Sequence, residues 1–327
     1  MTRFQKLQGW RSPYIIAEVG SNWATLEDCL LSIRAARAAQ ANAVKFQLFT
    51  HEALYGVPGE MKHELPVEWL PKLKAEADFY GIEFMCSAFS PELANAVDPF
   101  VRIHKVASSE MYHKRLLERL NFYRKPVCLS TAASPIIDIK LALELLPDVE
   151  VCVMYCVGAY PARDVDLRII RELKLALGNH YMVGFSDHTT DVRIIPRVST
   201  KYGAQIIEKH FKAVELDTPD SAHSLNVREF GLMVNAIRNR QEAPYIGPTP
   251  DERDMVLKHK RRLKVTAPIL PGEEFVENVN FGAYRSLEAD EKALSPFQIE
   301  NVAGRTASES LLSGDGIGPG SIELWSQ

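Results

Sequence analysis

Nothing in this sequence approaches the roughly 18–20 consecutive apolar residues that a membrane-spanning helix needs. Its opening stretch, MTRFQKLQGWRSP, lacks the apolar core of a secretory signal. Cysteine is scarce: Cys29, Cys86, Cys128, Cys152 and Cys156 make an odd count, with no CxxC or HxxxH spacing. That argues against a disulfide framework and against a zinc module. Three of the five sit inside apolar runs, so we expect buried free thiols and a cytoplasmic location. An excess of one charge is also missing. Lys and Arg number 38 against 42 Asp and Glu, for a formal net charge of −4. The basic residues are scattered, so neither a nucleic-acid nor a membrane partner is expected. There is no internal repeat and no low-complexity tract. No GxGxxG follows the first apolar run, which disfavours an open doubly wound sheet.

What is present is ordinary globular composition, 46% hydrophobic and 24% charged, over 327 residues. That length holds one barrel of roughly 250 residues plus a small module. Short apolar runs alternate with longer segments of helical period. Strands are predicted near 14–18 (YIIAE), 43–48 (AVKFQL), 82–87 (IEFMCS) and 101–106 (VRIHKV). Four more follow near 126–130, 150–156, 181–186 and 204–208. Helix-like stretches such as LEDCLLSIRAARAAQ and LPKLKAEADFYG lie between most of them. Parallel strands need such crossovers, and eight can close on themselves. The expected fold is therefore an α/β protein, a (β/α)8 TIM barrel over 1–242. A proline- and charge-rich linker (243–260) then leads to a small β-rich unit over 261–327, with a turn at Pro271-Gly272.

Barrel enzymes carry reactive groups at the carboxyl ends of the strands. Those positions here hold Glu18, then Lys45 and Gln47 on one face of strand two, Ser87, and Lys105 with Ser108, Ser109 and Glu110. Ser130, Thr131, Cys156, Tyr160, Ser186, Asp187, His188, Glu208 and His210 complete the series. Side chains alternate along a strand, so Ser186 and His188 share a face, as do Glu208 and His210. If those faces point inward, two imidazoles converge from neighbouring strands, an arrangement suited to Mn, Fe, Co or Zn. Lys45 and Lys105, with the hydroxyls of Ser87, Ser108 and Ser186, suit a phosphorylated anion. Each residue alone is more often structural: a strand-end His can be a satisfied core residue, and a Lys can be an ion-pair partner. Their recurrence at strand ends is what argues for a site, because burying charge without a task is costly.

The segments IIAEVGSN, AVKFQ, KVASSE, LST, YCVGAYPA, GFSDHT and IIEKHF resemble, in order, the motif blocks of the sialic acid synthase family. That family includes the legionaminic and pseudaminic acid synthases. The tail, RRLKVTAPILPGEEFVENVNF with NVAGRTASESLLSGDGI, is similar to its antifreeze-like (SAF) domain. The resemblance implies a metal-dependent condensation of phosphoenolpyruvate with an amino-sugar aldehyde, N-acetylmannosamine or a dideoxy diamino hexose. Water adds, phosphate leaves by C–O cleavage, and a nonulosonic acid results. It implies that His188 and His210 hold a divalent metal, Mn2+ first, with Mg2+ or Co2+ as alternatives, and that Glu208 supports them. Lys45, Gln47, Ser87, Lys105, Ser108 and Ser186 would surround phosphoenolpyruvate. Glu18, Glu110 and Lys105 take the catalytic positions, and Glu18, Tyr160 and Asp220 face the sugar. Arg285 would reach the sugar site of a partner in a domain-swapped homodimer.

Several positions depart from the family pattern. Trp23 replaces a usual His, and Val157 and Gly158 replace residues with side-chain donors. The usual GPDH reads TPDS, and the apolar residue two further on is His223. Two rival readings share the fold: a class I aldolase using Lys105 as its Schiff-base amine, and a non-catalytic phosphosugar-binding homologue.

Overall fold

The computed structural model describes residues 4, 13–191, 194–239, 260–285 and 292–323. The chain divides into two compact units, Met1–Pro244 and Tyr245–Gln327. All but the last residue of the expected linker lies outside the described residues.

In the first unit eight parallel strands follow one another around a closed sheet. They are β1 (Tyr14–Glu18), β2 (Ala43–Leu48), β3 (Glu83–Ala88), β4 (His104–Val106), β5 (Val127–Ser130), β6 (Val151–Tyr155), β7 (Met182–Asp187) and β8 (Ile206–Lys212). Each pairs with the next, and β8 pairs back onto β1 with Tyr14 opposite Ile206 and Glu18 opposite His210. This is the expected (β/α)8 barrel, not an open sheet. Two boundaries differ from expectation. β4 begins late because a 3-10 turn occupies Asp98–Phe100. β8 runs on to Lys212 because a short strand, β9 (Leu225–Asn226), pairs with Phe211 and Lys212.

The crossovers are α1 (Leu26–Ala38), α2 (His51–Tyr55), α3 (Leu70–Tyr80), α4 (Pro91–Val97), α5 (Lys114–Tyr123), α6 (Ile136–Glu144), α7 (Arg168–Leu177), α8 (Ile195–Thr200) and α9 (Val227–Arg238). Local chemistry marks their starts. Thr25 with Asp28 and Asn226 with Glu229 form capping boxes before α1 and α9, satisfying amide donors that the first turn leaves open.

The strands are buried on both faces, hence their nearly unbroken apolar runs. Outward residues such as Ile15, Val44, Phe84 and Ile207 pack under the helices. Inward residues Tyr14, Ile16, Ala43, Met85, Cys128, Cys152, Met154 and Ile206 fill the lower barrel. All five cysteines are free and buried. Towards the carboxyl ends the inward positions turn polar: Glu18, Lys45, Ser87, Lys105, Ser130, Ser186, Glu208 and His210 are all buried. No described helix is long and apolar enough to cross a membrane.

The second unit has a small antiparallel pair, β10 (Arg262–Val265) with β11 (Phe281–Tyr284), and a short helix, α10 (Ile299–Val302). Leu263, Val265, Ile269, Phe275, Phe281 and Ile317 form its own core. Gly272 turns the chain with φ of 85° after Pro271, as the sequence suggested.

Asp187, adjacent to the inward-facing Ser186, points the other way. It accepts from Lys209 Nζ at 2.7 Å, and both side chains are completely buried. Thr189 also bonds the Asp187 carboxylate. Breaking a buried pair from one side strands the other charge. Lys209→Met should therefore lower unfolding free energy by about 3–5 kcal/mol, read by urea denaturation. A loss below about 1 kcal/mol would mean that the pair is not held dry.

Candidate active site

The polar upper barrel opens into a cavity of about 380 Å³, a volume typical of small-molecule sites. Its lining includes Glu18, Lys45, Gln47, Lys105, Ser108, Ser109, Ser130, Cys156, Tyr160, Ser186, His188, Glu208, His210, Asp220 and His223. A larger cavity, about 640 Å³, lies at the amino-terminal strand ends among Glu83, Arg102 and Asp78. Its charges are largely committed to one another, as in Arg102 with Glu83 and Lys74 with Asp78. Chemistry on this fold belongs to the opposite mouth, and only the smaller cavity has converging groups from β1, β2, β4, β7 and β8.

Register sets the floor of that cavity. Glu18 and Lys45 are direct neighbours across β1 and β2, as are Ser186 and Glu208 across β7 and β8. Lys45 Nζ lies 2.6 Å from Glu18 Oε2 and 3.6 Å from Glu208 Oε1. Lys105 Nζ lies 3.8 Å from Glu208 Oε1 and donates to Ser130 Oγ and Val106 O at 2.7 and 3.0 Å. Two carboxylates and two ammonium groups thus form one buried open ring, linked in the order Glu18, Lys45, Glu208, Lys105. Burial, reinforced by the negative charge of Glu208, pushes Glu18 up to about 7 against the pull of Lys45. Burial opposes the charge of Glu208 too, but Lys105 and Lys45 together hold it below its ordinary value. A proton on Glu18 leaves the ring with net positive charge, suited to an anion above it.

The histidines stand on the other side. The His188 and His210 ring centres are 5.5 Å apart, so the two imidazoles do converge from β7 and β8. Val157 O lies 2.7 Å from His188 Nδ1. A carbonyl can only accept, which puts the proton on Nδ1 and leaves Nε2 with its lone pair, 3.5 Å from Ser186 Oγ. Tyr160 stacks on the His188 ring with centres 4.2 Å apart. His210 and His223 meet edge to face at 4.5 Å. Asp220 Oδ1 lies 3.3 Å from His223 Nε2 and 3.9 Å from His210 Nδ1. Those two ring nitrogens are buried with no hydrogen-bond partner among the described residues. One ligand atom each from His210, Asp220 and His223 can be drawn within 4.8 Å of the others. Orphaned imidazole nitrogens beside a carboxylate oxygen fit a divalent transition ion.

A glycine makes that carboxylate possible. Gly20 has φ of +56°, and a Cβ there would sit 2.2 Å from Asp220 Oδ2. With no side chain in the way, Ser21 N and Oγ reach Oδ2 at 2.7 and 2.9 Å, which turns Oδ1 towards the histidines.

Most of the expected site residues gather here, but not all. Ser87 does not line the cavity; fully buried, it accepts from Lys45 Nζ at 3.2 Å beneath it. Glu110 is half-buried on the 3-10 turn Ser108–Tyr112 and does not line it either; burial raises its pKa. Arg285 is an exposed residue of the second unit. Trp23 points away: it donates to Gly20 O at 2.9 Å and packs on Trp69. At Val157 the backbone carbonyl holds His188, so the missing side-chain donor is no loss to that contact. His223, like His113 and Asp187, has no role assigned by the sequence. It stands beyond the strands, on the turn Ser221–His223, so strand parity could not place it. Its departure from an apolar pattern was the available signal.

Residues 32–245 match the NeuB family. The chain is 30% identical to the spore coat polysaccharide biosynthesis protein SpsE of Bacillus subtilis over 308 residues, covering 81% of this chain and 82% of that one. The crystal structure of SpsE superposes with a TM-score of 0.65 over 96% of both chains. A pseudaminic acid synthase of Helicobacter pylori is 28% identical, covering 95% of this chain and 98% of its own. The N-acetylneuraminic acid synthetase structure from Leptospira borgpetersenii serovar Hardjo-bovis, 25% identical, gives a TM-score of 0.65 over 76% of this chain and 91% of that one.

The Glu18 proton has a measurable consequence. Below about 4.5 both folded and unfolded chains carry it; between 4.5 and about 7 only the folded chain does. The stability it contributes is full at the acid end and is lost as pH rises through 7. The unfolding free energy of the metal-free wild type, minus that of Glu18→Gln, should fall between pH 5 and 8 by at most about 1.4 kcal/mol per pH unit. A difference independent of pH would mean that Glu18 is ionised throughout.

Proposed function

The chain belongs to the NeuB family, and from that premise we propose that it condenses phosphoenolpyruvate with an amino-sugar aldehyde to give a nonulosonic acid and phosphate. The observation that carries this reading is one cavity with a buried ammonium pair on its floor and a histidine cluster on its wall. Relatives named as pseudaminic acid synthases match over nearly the whole chain. A dideoxy diamino hexose derivative is therefore the substrate we favour over N-acetylmannosamine.

In this reading Lys45 and Lys105 hold the phosphate and carboxylate of phosphoenolpyruvate, with Ser108, Ser186 and Gln47 as hydrogen-bonding partners. The positive ring of Lys45, Lys105 and protonated Glu18 is fixed before the anion arrives, so little reorganisation is needed when charge develops. Attack by the methylene carbon on the aldehyde leaves positive charge at C2. Water adds there, and the C–O bond to phosphate breaks. Glu18 is the carboxyl group whose proton sits at the cavity floor, and Glu110 would approach the reacting carbons from the rim. Tyr160 and Asp220 flank the sugar. His188 and His210, supported by Glu208 through Ser186, would hold a divalent ion, Mn2+ in the family's pattern. When bound, that ion supplies Lewis-acid polarisation of the aldehyde.

We read the second unit as an SAF-type domain that acts in a homodimer, with Arg285 reaching the partner's sugar site. The aldolase alternative needs Lys105 as a lone amine in an apolar pocket. Here its Nζ bonds two oxygens and has Glu208 at 3.8 Å.

The test is phosphate release from phosphoenolpyruvate with a divalent metal and a panel of amino hexoses. Release should depend on one sugar and fall by more than about 100-fold in His188→Ala and His210→Ala. Lys45→Met should raise KM for phosphoenolpyruvate, and Arg285→Ala should raise KM for the sugar alone. Tight phosphoenolpyruvate binding without turnover of any sugar would support a binding protein instead.

A further inference from the structure

We propose that His223 is a direct ligand of the divalent ion, adding an imidazole to the His210 and Asp220 beside it. This rests on the metal-dependent reading above, but its test needs no turnover.

The geometry is built for this role. The turn carrying His223 is tied to the loop after β1 at several points. Ser224 Oγ donates to Asp220 O, Asn22 Nδ2 donates to Ser224 Oγ, and Thr218 Oγ1 donates to Asn22 Oδ1, each at 2.7 Å. His223 is 2% exposed, and its ring faces His210 at 4.5 Å and Tyr160 at 5.1 Å. Asp220 Oδ2 is fully used by Ser21, so its other oxygen is the one left between the two imidazoles. His223 Nε2 and His210 Nδ1 both border that oxygen, and both are buried without a hydrogen-bond partner. The Asp220 carboxylate is the polar group beside both, 3.3 Å from His223 Nε2 and 3.9 Å from His210 Nδ1, and one oxygen serves two buried ring nitrogens poorly, which is costly in a folded protein. A cation taking both lone pairs and the carboxylate oxygen removes the cost at once. The chemical consequence is selectivity. Imidazole favours Co2+, Fe2+ and Zn2+, whereas Mg2+ and Mn2+ favour carboxylate and water. Exchanging a water for His223 moves the centre towards the first group.

The experiment uses the full-length protein stripped of metal and titrated with Co2+ and, separately, Mn2+. Proton NMR of the Co2+ form, with 15N-labelled histidine, shows one hyperfine-shifted exchangeable N–H for each ligand imidazole. His223→Phe should remove one such signal and weaken Co2+ binding on the order of tenfold or more, with a smaller loss for Mn2+. If His223→Phe does not fold, His223→Gln carries the same comparison, with circular dichroism as the check. An unchanged set of shifted signals with unchanged Co2+ affinity in a folded variant would overturn the proposal, as would a wild type that binds no Co2+. A protein that binds Co2+ through His223 but releases no phosphate would leave this inference standing and remove the reaction. A protein that turns over, with a Co2+ spectrum indifferent to His223, would do the reverse.

Discussion

Two lysines and two glutamates share a dry space inside the barrel, and much of the molecule is arranged around keeping them there. Lys45 and Lys105 cannot be buried alone, and neither can Glu18 and Glu208. Four separate strands, β1, β2, β4 and β8, each contribute one member, so the ring exists only when the sheet closes and β8 returns to β1. Removing any one charge leaves another uncompensated, and such losses are far larger than the net worth of the pair. The ring is therefore a poor device for stability and a good one for function: it holds positive charge in place beneath a cavity before any anion arrives.

The division of the interior follows from the same constraint. Below the ring the inward positions are Tyr14, Ile16, Met85 and Cys152, which need no partners. Above it lie His188, His210 and Asp220, which require a ligand or each other. The second buried pair, Asp187 with Lys209, sits on the opposite face of the same two strands as Ser186 and Glu208. Alternation along β7 and β8 thus sends one ion pair outward under the helices and leaves the chemistry inside. The loop after β1 closes the arrangement by bringing Gly20 and Ser21 against Asp220.

His223 stands beside His210 and Tyr160 on the cavity wall, on the turn after β8. The floor of the cavity carries the two lysines, while its wall carries the histidines.

Much was legible in the residues alone. Eight apolar runs separated by helical periods point to a parallel sheet, because a strand buried on both faces must be apolar throughout and its crossovers must be long; closure is shown by β8 pairing back onto β1. Parity put Lys45 with Gln47, Ser186 with His188 and Glu208 with His210 on shared faces, since alternation along a strand is a local property, and the closed sheet turned those faces inward. Tertiary structure decided what parity cannot reach. The sequence does not say that Ser87 lies beneath the cavity or that Glu110 sits outside its lining, because depth depends on strand stagger. Nor does it say that the Val157 carbonyl, not a side chain, holds His188. His223 and Asp220 stand on a turn without period, and only its hydrogen bonds to residues some 200 positions earlier bring them to His210.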